Sequence, residues 1–124
     1  MPVLVTLATI NALSRRDTEA ISFLNPGALR ARCTEVIENR DTRERALMLT
    51  EELQQLTRQY HEAVDKSLDA YLKKSAEWDS SADDLVEILE PLDILRIKTL
   101  QDIVYVRRLM REILTVEQWN DIFL

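Results

Sequence analysis

One glycine, three prolines, one cysteine and one histidine occur among 124 residues. Loops draw on glycine and proline to turn, so the loops must be few and short. That favours helices over a many-stranded sheet. A single glycine also leaves no room for a glycine-rich phosphate loop. The lone cysteine, Cys33, permits no intramolecular disulfide, and the redox compartment stays open. In the pattern Leu29, Cys33, Val36, Ile37 it reads as a small core residue rather than a reactive thiol. Ser-His-Asp and Cys-His chemistry would both depend on His61. It lies far in sequence from Cys33 and has no nucleophile-turn motif beside it. The chain therefore reads as a non-enzyme. Structural zinc needs about four ligands, usually Cys and His. Carboxylate di-metal bundles use Glu-x-x-His pairs, and none occurs here. His61, Glu62 and Asp65 share helical spacing but offer one nitrogen donor, so neither a metal nor any other cofactor is expected.

Positive charge is also scarce. Sixteen basic residues face 22 acidic ones, for a net charge of −6. Nucleic-acid binders show the opposite surplus, so no nucleic-acid partner is expected. The basic residues cluster at Arg30/Arg32, Arg40/Arg43/Arg45, Lys73/Lys74 and Arg107/Arg108/Arg111. Each cluster has acidic neighbours, which reads as a solvated, salt-bridged helix face. Long hydrophobic runs are missing too. Val3 to Leu13 is apolar but broken by Thr6, Thr9 and Asn11, too short to span a bilayer. It also lacks the positive start of a secretory signal. Two readings stay open. This stretch is the first helix of a mature domain whose signal or membrane anchor lay upstream, or it is the true start of a cytoplasmic protein.

What remains is 46% hydrophobic and 31% charged, the balance of an ordinary globular chain. One all-helical domain over 1–124 is expected, with 1–24 peripheral and 25–124 forming a hairpin core. The fold class is all-α: a long antiparallel helical hairpin with short flanking helices. The helices are placed at about 3–23, 26–39, 42–77, 82–113 and 116–123. Asn25 can cap the second and Pro26 suits its first position. Asp41 and Glu44 have capping-box spacing for the third, although 26–77 could also be one continuous helix. Along 42–77 the residues Ala46, Leu49, Leu53, Leu56, Tyr60, Ala63, Ser67 and Ala70 recur at steps of three and four. Leu47, Val64, Leu68 and Leu72 flank them. Together they form a coiled-coil-like seam.

Ser80 or Ser81 should cap the helix over 82–113, with Asp83 and Asp84 at its positive end. Leu85, Ile88, Leu92, Leu95, Thr99, Val106, Met110 and Ile113 form one face of that helix. Val86, Leu89, Ile97, Leu100 and Val104 widen it beyond what one neighbour covers. A homodimer is therefore expected, with Ile97, Leu100, Val104 and Met110 as candidate partner-binding residues. Met48 and Met110 both take core-type positions. Pro91 should kink the helix near Glu87 to Pro91.

Leu114-Thr115-Val116-Glu117-Gln118-Trp119 follows. Thr115 and Gln118 have capping-box spacing. Leu114 and Trp119 should pack across the turn. Leu114-Thr115-Val116-Glu117-Gln118 resembles the LTxxQ motif of Spy/CpxP-type periplasmic proteins and their heavy-metal-resistance relatives. Val106 to Ile113 looks like the helix that precedes it in those proteins. Leu24-Asn25-Pro26-Gly27-Ala28 resembles a degenerate earlier copy. The likeness spans roughly Leu24 to Phe123.

The resemblance implies a Spy-like helical dimer in the periplasm that meets a protein client or a sensor partner, as a chaperone or envelope-stress modulator. The metal-sensing relatives use several histidines; with His61 alone, metal sensing does not carry over. Two other readings compete: a cytoplasmic acidic adaptor or secretion-type chaperone, and a metal-binding resistance protein.

Overall fold

The computed structural model describes residues 22–124. They form four helices: α1 (Pro26–Val36), α2 (Arg40–Ser75), α3 (Ala82–Ile113) and α4 (Val116–Phe123). Among the described residues there is no strand. The protein is an all-α helical hairpin. Its arms are α2 and α3, of 36 and 32 residues, about 54 and 48 Å long at 1.5 Å per residue. The helix expected over 3–23 lies outside the described residues, apart from its end. There, Ser22 to Leu24 form a turn in which the Asn25 N–H donates to the Ser22 carbonyl at 3.0 Å.

The second and third expected helices are separate; the second is three residues shorter than expected and the third is shifted two residues toward the N-terminus. α1 ends at Val36 because Ile37 takes an extended conformation and turns into the core. Asn39, not Asp41, caps α2: its side chain accepts from the Thr42 N–H at 3.0 Å. Asn is among the strongest N-caps, and Asp41 then falls in the first turn, where a negative charge is favourable. Glu44 pairs with Arg40 instead of closing a capping box. At the other end α2 stops at Ser75, two residues early.

α1 and α4 pack against each other, and α1 also lies along α2. The main core sits where the four helices meet. It joins Leu29, Cys33 and Ile37 to Ala46 and Leu53 of α2, to Ile103, Val106 and Met110 of α3, and to Leu114 and Ile122. Farther along the hairpin only Val64, Leu92 and Thr99 are fully buried.

The buried line on α2 is Ala46, Thr50, Leu53 and Val64. It follows a 3.6-residue period, whereas the expected seam followed 3.5. The two drift apart by about 20° per heptad. By Ala70 the expected seam has left the interface, and Leu68, Ala70 and Leu72 are exposed. Met48 is a further correction: two residues past Ala46, it sits about 200° round the helix and is exposed. On α3, Ile103 joins the core although the expected face omitted it. α3 continues through Pro91. A helical proline leaves the carbonyl four residues earlier without its donor. Pro91 and Glu87 are both exposed, so water can satisfy that carbonyl.

Candidate interaction surface

The turn into α4 is held by a reciprocal pair of hydrogen bonds. The Gln118 N–H donates to Thr115 Oγ1 at 3.1 Å, and the Thr115 N–H donates to Gln118 Oε1 at 3.0 Å. Two backbone donors that the first helical turn would leave unpaired are thereby satisfied. Leu114 enters the core and Trp119 packs against it. Asn25 caps α1 in the corresponding way, accepting from the Ala28 N–H at 3.3 Å. The methyl side chain of Ala28 cannot return the bond, so only half of the box is present there.

Around this turn lies an aromatic group. Trp119 and Phe123 have ring centroids 4.4 Å apart, and Phe23 stacks on Phe123 at 5.1 Å. The Arg107 guanidinium sits 5.2 Å from the Trp119 ring centre, a cation–π distance. A shallow, open recess of about 390 Å³ beside it is lined by Arg107, Arg111, Leu114, Thr115, Val116 and Trp119. Arg32 ties α1 to α4. Its Nε and Nη2 donate to the Asp121 carbonyl at 3.2 and 2.9 Å while Nη1 pairs with Glu35. A cation on the last carbonyls of a helix also opposes its negative end. The Arg30/Arg32 cluster is thus only partly the solvated face expected of it. Neither Phe23 nor this use of Arg32 was anticipated from the sequence. The aromatic spacing alone gave no sign of Phe23, and Arg32 acts on a residue 89 positions away.

The candidate partner-binding residues divide. Ile97, Leu100 and Val104 are 52%, 45% and 63% exposed, whereas Met110 is fully buried. Met110 is a correction. It falls in phase with Leu92, Thr99, Ile103 and Val106 on the face toward α2, and it anchors the main core. Val86 and Ile94 are exposed as well. Val86, Ile97, Leu100 and Val104 cluster roughly 120° round α3 from the core line, with Ile94 beyond the edge of that stripe. The apolar surface of α3 is therefore wider than the face that packs on α2, and this flank is left uncovered. Fully burying one such side chain contributes about 1.5–3 kcal/mol, so the outer face keeps a large part of its burial energy unused.

The groups considered for chemistry lie apart. Cys33 is buried, and loss of solvation pushes its thiol up to about 11, which disfavours the reactive thiolate. His61 is exposed on α2 next to Tyr60, their ring centroids 6.3 Å apart, and Glu62 and Asp65 are also exposed. Among the described residues no group of three or more His, Cys, Asp or Glu side chains is placed to hold a metal ion. No helix among them is long and apolar enough to cross a membrane. No protein-family model, curated protein or solved structure matches the chain.

Proposed function

We propose that this chain is a non-enzymatic, protein-binding helical domain. Its contact surface is the outer face of α3, and it works as a Spy-like chaperone or sensor modulator outside the cytoplasm. The observation that carries the proposal is the second apolar stripe on α3, Val86 to Val104, exposed beside a face that is already packed. Isolated exposed apolar residues are ordinary; an aligned row on an otherwise saturated helix marks a place where another protein surface fits. The LTxxQ segment adds support as an intact capping box at the end of a long hairpin, the context that the resemblance requires. The buried thiol and the scattered position of His61 fit a binding role better than a catalytic one.

An aggregation assay tests this reading. A denatured client diluted into buffer should scatter less light when the protein is present at equimolar amounts. Unchanged scattering at large molar excess would remove the chaperone form of the proposal.

A further inference from the structure

The outer face of α3 carries charge as well as apolar groups, and the charge is ordered. Its first half presents Asp83, Glu90 and Asp93, and its last part presents Arg108 and Arg111. Ile97, Leu100 and Val104 lie between them. From Glu90 to Arg111 these positions succeed one another at steps of three and four, and Asp83 lies two turns before Glu90, so they form one stripe. Such a stripe is complementary to itself when reversed. Glu90 and Arg111 lie equally far from the midpoint between Leu100 and Gln101. So do Asp93 and Arg108, and so do Ile97 and Val104.

We infer that the outer face of α3 pairs with the same face of a second copy, antiparallel about a two-fold axis at Leu100 and Gln101. The inference rests on the reading of this face as a protein-contact surface, and it names the partner. In this register Glu90 meets the partner's Arg111, Asp93 meets the partner's Arg108, and Ile97 packs on the partner's Val104. A two-fold interface makes each contact twice. Val86, exposed near the start of α3, comes opposite the partner's Thr115, over the recess beside Trp119. A parallel pairing would oppose Glu90 to Glu90 and Arg111 to Arg111, which like charges disfavour.

The ion pairs within the chain leave these groups available. Among the described residues neither Glu90 nor Arg111 forms one. Asp93 is 3.9 Å from Arg96 and Arg108 is 3.6 Å from Glu112, both long and solvent-exposed pairs that exchange readily.

Sedimentation velocity on the full chain over a micromolar concentration series tests the pairing. The wild type should run as a dimer. Glu90→Arg and Arg111→Glu should each weaken it by roughly tenfold or more, because each single change places like charges opposite one another twice. The combined Glu90→Arg/Arg111→Glu variant should recover the wild-type dissociation constant. Asp93→Arg with Arg108→Asp supplies a second, independent exchange, and circular dichroism confirms helicity throughout. A monomeric wild type overturns the pairing. So do single reversals without effect, or a double reversal no better than the singles. The aggregation assay on the same samples separates the two proposals. Suppression by a monomer leaves protein binding standing without the pairing, and a charge-exchangeable dimer that suppresses nothing leaves the pairing standing without the chaperone role.

Discussion

The two ends of the hairpin are built on different terms. At the base four helices converge, and Leu29, Cys33, Ala46, Leu53 and Met110 are wholly buried. Toward the turn only α2 and α3 remain. Leu72 and Val86 are exposed there, and Trp78 is 100% exposed. Yet both ends use the same local device. Ser81 and Asp84 form a capping box at the start of α3, as Thr115 and Gln118 do at the start of α4. The comparison separates what a cap does from what packing does. At the turn the cap stands almost alone, whereas at the base it positions a helix whose Ile122 is already in the core.

The largest effect should come from the base. Leu53→Ala removes a wholly buried side chain from the meeting point of the helices and should cost roughly 2–5 kcal/mol in chemical denaturation. A loss under 1 kcal/mol would mean that the base collapses around the gap and is no more rigid than the turn. Cys33→Ser comes next. The site is desolvated enough to push the thiol up to about 11, and a hydroxyl there gains no solvent. Bonding back to a carbonyl of its own helix offsets part of the cost, leaving about 1–2 kcal/mol. A variant as stable as wild type would show that Cys33 is wetter than its packing indicates.

Much of this architecture is legible in the sequence, and where it is not the reason is physical. The hairpin arms, the turn and the Thr115–Gln118 box rest on spacing within one helix or one turn, which the chain displays directly. The choice of Asn39 over Asp41 does not, since both residues can cap. What decides it is Ile37, which must leave the helix to reach the core, and that is a tertiary requirement. The outer face of α3 was half visible. Ile97, Leu100 and Val104 stood out as surplus apolar residues. Met110 already fell in the other set, with Leu92, Thr99 and Val106; which set faces α2 depends on the phase of α3 relative to α2, which periodicity alone leaves undetermined. The Arg32 contact to Asp121 joins residues too distant for any local pattern to reveal.

Two smaller effects sharpen the contrast between the ends. Thr115→Ala deletes a cap and should cost about 1 kcal/mol, seen as a lower thermal midpoint. The Gln118 N–H loses its acceptor in the same change, while Gln118 Oε1 keeps the backbone N–H of residue 115 as its donor. Since Trp119 and Phe123 lie just beyond the cap, tryptophan fluorescence should report the loosening before global unfolding. An unchanged midpoint would mean that the packing of Ile122 and Trp119 holds α4 without its cap.

The turn end should show the smallest effect, and its dependence on pH is what distinguishes it. The Ser81 backbone N–H donates to the Asp84 carboxylate at 3.0 Å and, with a smaller contribution from the Ser81 side chain, holds that carboxyl below the usual range. A carboxyl depressed in the folded state contributes stability above its unfolded pKa and loses it as pH falls through the folded value. Lys74 nearby runs the other way. Its bond to Glu77 raises its pKa, so its contribution is complete below the unfolded lysine pKa and fades as pH rises through the folded value. Both groups lie at the surface, so solvent screens them strongly. Asp84→Asn should therefore lower the midpoint slightly at neutral pH, and the difference from wild type should vanish in acid below the carboxylate range. The loss should be smaller than for Thr115→Ala, because no residue in the first turn of α3 is fully buried. A loss as large as that of Thr115→Ala would show that the turn end is held by more than its cap.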